Sequence, residues 1–133
     1  MSKPTDVGSL RIGQHILIRG EPCRIVEYEK SKPGKHGSAK ARIVAMGIFD
    51  STKRSIVSPV SARIDVPVIE KKSGQIISLL ENSIQLMDLE TFEVFFASNP
   101  TDKTIKTRLA PGWEVEYWKV MDRTVIMRVK GSA

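Results

Sequence analysis

One run of residues concentrates the features that could do chemistry: Ser31-Lys32-Pro33-Gly34-Lys35-His36-Gly37-Ser38-Ala39-Lys40. Lys32 to Lys35 places Pro second and Gly third, the pattern of a type II turn, because Pro fixes φ negative and Gly accepts φ positive. Lys35 then stands at the apex of a hairpin whose arms, about five extended residues each, would carry it roughly 15 Å from the body. Only His36 separates it from Gly37, so the backbone around the lysine is lean and can approach another surface closely. Between Lys30 and Arg42 there are five cations (Lys30, Lys32, Lys35, Lys40, Arg42), and no carboxylate follows until Asp50. A patch of this density points to a polyanionic partner such as nucleic acid, whereas an isolated run of lysines is ordinarily only a solvated loop.

Catalytic readings of the same residues fail. A phosphate-binding P-loop needs Gly five residues before the second Gly, Ser or Thr after the Lys, and a helix to follow. Those positions hold Glu29 and His36, and the next segment reads as a strand. The two histidines, His15 in a strand and His36 in the loop, have no carboxylate near them in sequence that would assemble a triad or a metal site. His15 reads as structural. The single cysteine, Cys23, excludes an internal disulfide framework and leaves no Cys cluster for zinc. No cofactor and no enzymatic activity are expected.

The elements that must position the loop are short strands. The chain has 133 residues, 41% hydrophobic and 27% charged, with a formal net charge of +6. No apolar run reaches the roughly 18 residues of a membrane span. The N-terminus has no signal-peptide pattern, so a cytoplasmic location without membrane association is expected. His15–Arg19 and Cys23–Tyr28, split by Gly20-Glu21-Pro22, read as strand, turn and strand. Ala39–Phe49, Ser55–Val57 and Ile64–Ile69 supply three more, which predicts a small bent barrel of about five strands. The polar, glycine-containing stretch Glu70–Gly74 marks a boundary, giving domains 1–70 and 71–133 with the basic loop at 31–40. Residues 1–70 carry +5 and residues 71–133 carry +1.

Beyond the boundary, strands at Gln75–Leu80, Ser83–Leu89 and Glu93–Phe96 precede a helix start at Asn99–Asp102 and two predicted turns over Lys103–Leu109, stopped by Ala110-Pro111-Gly112. Strands Trp113–Val120 and Thr124–Lys130 complete the order of a five-stranded OB-type barrel with one short helix. Alternation puts Trp113, Val115 and Tyr117 in its core and Glu114, Glu116 and Trp118 on the other face. There Trp118 either stacks on a nucleotide base or, as such residues ordinarily do, packs under the short helix or against the other barrel.

The loop closely resembles the modification loop of the translation factor 5A family, the hypusine-containing factors. The likeness spans nearly the whole chain. Leu10-Arg11-Ile12-Gly13 and Ile18 to Val26 look like the family's opening strands, Asp65-Val66-Pro67 like the end of its first domain, and Leu86-Met87-Asp88 like a strand of its second. Pro33 and Ser38, where eukaryotic members usually have Thr and His, look like the archaeal branch. The resemblance implies a mainly β fold of an N-terminal SH3-like barrel and a C-terminal OB-fold. It also implies that Lys35 receives a spermidine-derived aminobutyl group from deoxyhypusine synthase, as deoxyhypusine or hypusine, within a modification loop made of Lys32, Pro33, Gly34, His36, Gly37 and Ser38. The partners implied are the ribosome and peptidyl transfer RNA. The function implied is promotion of peptide-bond formation at stalling, proline-rich sequences, with a further role in initiation or termination. Lys30, Lys32, Lys40 and Arg42 would then attract RNA. The competing expectation is a stand-alone single-stranded RNA-binding protein whose Lys35 stays unmodified.

Overall fold

The computed structural model describes residues 2–32, 39–100 and 102–131. The chain divides into two compact units, Met1–Val68 and Ile69–Ala133.

In the first unit, β2 (His15–Ile18), β3 (Glu21–Ser31), β4 (Lys40–Gly47) and β5 (Lys53–Pro59) form an antiparallel sheet in chain order. β2 turns into β3 through Arg19 and Gly20, both at positive φ (51° and 82°), the conformation of a two-residue hairpin whose twist matches its strands. A two-stranded ribbon of β1 (Ser2–Asp6) and β6 (Arg63–Pro67) completes the small barrel, with β6 running close beside β2. Backbone bonds from Val7 to Ala62 and from Gly8 to Val60 fasten it. Val7, Leu10, Ile16, Ile18, Cys23, Ile25, Ala41, Ile43 and Ala45 are the buried core, contributed by alternate residues of each strand.

The second unit is a closed barrel of β7 (Ile69–Leu79), β8 (Ser83–Asp88), β9 (Val94–Ser98), β10 (Glu114–Val120) and β11 (Arg123–Gly131), in the order β10–β11–β9–β8–β7 with β7 returning to β10. Its core gathers Ile76, Ile84, Leu86, Ala97, Leu109, Val115, Tyr117 and Ile126, with Trp113 half-buried against them. The architecture is the mainly β pair of small barrels, SH3-like and then OB-type with one short helix, that the strand order predicts. Among the described residues no helix is long and apolar enough to cross a membrane.

Four elements differ from the sequence reading. Ser2–Asp6 is a strand, which its polar composition hid; Pro4 is tolerated because β1 is bonded only to β6. Glu70–Gly74 is no linker but part of the eleven-residue β7, and the units part between Val68 and Ile69. Its polar residues cross-pair with β10, from Glu70 opposite Lys119 to Gly74 opposite Val115, and a Cβ at Gly74 would lie 3.1 Å from the Tyr117 ring. The helix α1 is one turn, Lys103–Lys106, instead of two. Asp102 caps it by accepting the Thr104 N–H, but Thr104, Ile105 and Thr107 are β-branched, and Leu109 turns into the core. Trp118 is half-buried beside its own strand neighbours: its Nε1–H donates to Glu116 at 3.2 Å, and the Lys71 ammonium lies 4.8 Å from its ring centroid.

Candidate functional site: the basic β3–β4 hairpin

The ladder between β3 and β4 runs from Cys23 opposite Gly47 to Ser31 opposite Lys40, with a bulge between Ile25 and Glu27. Residues 32–39 therefore connect the two strands, and Pro33 to Ser38, with Lys35 among them, lie outside the described residues. Beneath that connection the strands are well supported. β4 is bonded to β5 along its whole length, Lys40 pairing with Pro59 and Arg42 with Val57, and the Val60 N–H donates to the Ala39 carbonyl at 3.0 Å. Two free arms of five residues are not what the fold provides. The connection leaves from a rim of three paired strands, because β5 continues the ladder that the sequence pattern ends at Val57.

The expected cations are all exposed but do not share a face. Lys30 lies opposite Ala41, on the side where Tyr28 pairs with Ile43, and its ammonium sits 5.9 Å from the Tyr28 ring centroid. Lys40 and Arg42 pair with Ser31 and Glu29 and so occupy the opposite side. Arg42 approaches Glu27 only to 3.9 Å with both side chains more than half exposed, a contact worth little in water. The rim is thus positive on both faces. Tyr28 ties it to the core: its hydroxyl donates to the Val7 carbonyl at 2.6 Å, and burial pushes its pKa up. His15 is half-buried in β2 opposite Arg24, in keeping with its structural reading. Cys23 is fully buried and its thiol is pushed up by that burial, against the pull of Arg54 at 3.8 Å.

The sequence of the turn between β4 and β5 conceals a polar clasp. Asp50 accepts two bonds from Arg54, at 2.7 and 3.1 Å, and one from the Thr52 N–H at 2.9 Å. These bonds hold its carboxyl far below the usual range. The i, i+4 spacing of Asp50 and Arg54 resembles a helical pair, so only the turn geometry reveals its role.

The N-terminal-domain model of translation initiation factor 5A-like proteins matches residues 1–62. The chain is 50% identical over 126 residues to translation initiation factor 5A of Hyperthermus butylicus, covering 95% of this chain and 93% of that protein. It is also 50% identical over 129 residues to the factor of Thermofilum pendens, covering 97% and 98%. The chain belongs to the translation initiation factor 5A family. Among solved structures, a factor 5A from Methanococcus jannaschii superposes with a TM-score of 0.86 at 42% identity, covering 96% of this chain and 94% of that one. These likenesses extend through both units, so the OB-type barrel belongs to the factor 5A architecture as much as the hairpin does. The activity of the family is in translation.

Proposed function

We propose that this factor 5A acts on the ribosome by inserting the connection between β3 and β4, with Lys35 extended by an aminobutyl group, toward the acceptor end of peptidyl transfer RNA. The observation that carries the reading is the run Gly34-Lys35-His36-Gly37 on the connection between β3 and β4 of a chain that belongs to this family. A deoxyhypusine or hypusine side chain is roughly twice the length of lysine and adds a second protonatable amine. It can enter an RNA cavity and meet phosphates or ribose hydroxyls. Cations on both faces of the rim, Lys30 on one and Lys40 and Arg42 on the other, suit entry into a groove lined by RNA on two sides, with Lys32 at the start of the connection. Rate enhancement would come from holding the nascent chain and acceptor amine in attacking geometry. That effect is entropic and asks no acid, base or nucleophile of the factor.

The spermidine-derived group is supplied by deoxyhypusine synthase in this reading, and no bound cofactor takes part. Intact-mass measurement of the protein purified from its native host tests the reading. One added aminobutyl unit on Lys35, with or without an oxygen, is the expected result. An unmodified mass would favour a plain RNA-binding protein.

A further inference from the structure

The second unit holds nine Lys or Arg and nine Asp or Glu, so all of the +6 resides in the first. On this neutral unit three large apolar side chains form a row in water: Phe92 is 68% exposed, Val94 49% and Phe96 60%. Alternation along β9 places Val94 and Phe96 on one face, with Met87 and Gln85 of β8 opposite them. Phe92 leads into that row from a turn built on Asp88. The Asp88 carboxylate accepts the N–H groups of Glu90 and Thr91 at 2.8 and 2.9 Å, and the Phe92 N–H donates to the Asp88 carbonyl at 2.8 Å. Phe92 sits at φ 64°, where a bulky residue is strained and Gly or Asn would be easier. A strained and exposed aromatic beside two more exposed apolar residues is unexplained by the fold.

Beside the row the barrel wall opens. β9 makes a full antiparallel ladder with β8, but its one ladder pair with β11 among the described residues is Ser98 with Val125. Further along, the Thr124 hydroxyl donates to the Phe96 carbonyl at 3.2 Å. A pocket of about 230 Å³ lies at this seam, with Phe96 in its wall. Its charged lining is Lys72 and Lys119 against Asp88, Glu93 and Asp122. Glu93 and Asp122 are exposed, whereas Asp88 is committed to its turn.

We propose that this seam docks an extended segment of a partner protein that is apolar at every second residue and carries Arg or Lys for Glu93 and Asp122. A strand laid along β9 repeats its side chains at the spacing of Phe92, Val94 and Phe96, and a guanidinium finds both carboxylates and the Phe96 ring. Carboxylate-majority lining on a neutral unit disfavours a nucleic acid here. The site stands apart from Lys35 and does not depend on the state of that lysine.

The test uses the full-length protein and the capped heptapeptide Arg-Val-Arg-Phe-Arg-Val-Arg, followed through backbone amide NMR shifts. The expected result is saturable shifts centred on Val94–Ser98 and Thr124, with affinity at least tenfold weaker in Phe96→Ser and in the double variant Glu93→Gln, Asp122→Asn. Both variants change exposed side chains and are expected to keep the parent's melting temperature. Absence of binding, equal binding by the variants, or equal binding of the heptapeptide with Glu in place of Arg overturns the proposal. So does a short oligouridylate that shifts the same amides more strongly, or a dimer of the protein that Phe96→Ser dissolves.

Discussion

An arginine at position 35 would keep the charge of the connecting loop and lose its reach, because a guanidinium cannot accept the aminobutyl group and is too short to replace it. Lys35→Arg is therefore expected to abolish stimulation of proline-rich reporters, and normal translation of those reporters by the variant would contradict the proposed role. A second residue matters to stability. Asp88 is 3% exposed and accepts bonds from the Tyr117 hydroxyl and two backbone N–H groups, with Lys72 at 3.9 Å. Burial opposes its ionisation, but the Tyr117 bond, the backbone bonds and Lys72 together lower its pKa to about 2. A carboxylate depressed in the fold contributes stability above its unfolded pKa, near 4, and loses it as the pH falls through the folded value. Urea unfolding should show this loss between about pH 4 and pH 2. Asp88→Asn should cost about 1–3 kcal/mol at pH 7 and flatten the acid limb, because Lys72 loses its ion pair and the amide makes a weaker partner for Tyr117. Lys35 could be picked out of the sequence because a turn signature surrounds it; Asp88 could not be picked out as a hub, because Tyr117 is 29 residues away and reaches it only through barrel closure.

The turn from β4 to β5 shows how an element depends on one small residue. A Cβ on Gly47 would fall 1.9 Å from Asp50 Oδ1 and 2.8 Å from Arg54 Nη1. Gly47→Ala should push the Asp50 side chain out of its clasp. Its carboxyl pKa, followed by NMR titration, should rise toward the ordinary carboxylate range, while an unchanged value would show that the clasp shifts as a unit. Strand existence was largely legible here because β-branched runs are separated by Gly and Pro. Strand extent was not. β5 and β7 run on through polar residues because their neighbours offer a continuous ladder, and β1 exists because β6 has an edge to satisfy. The helix is shorter than its polar, threonine-rich segment suggests because burial of Leu109 competes with a second turn.

At the level of the whole molecule, charge and core are partitioned differently. Each unit has its own hydrophobic core, yet the first carries twelve Lys or Arg against six Asp or Glu and the second carries nine of each. A fragment ending at Val68 should retain salt-sensitive binding to RNA with nearly the slope of the full chain, and a fragment starting at Ile69 should show little affinity for polyanions. Filter-binding titrations between low and moderate salt would check both, and a second unit that binds RNA equally would show that net charge misplaces the contact. The sequence by itself determined the two barrels, the basic loop and the family likeness, because alternation, turn residues and a ten-residue motif are local properties. The tertiary structure decided which face each cation occupies, the Asp88–Tyr117 hub, the Asp50–Arg54 clasp and the open seam beside β9. Those depend on register and closure between strands distant in sequence, where a shift of one residue exchanges the two faces of a strand.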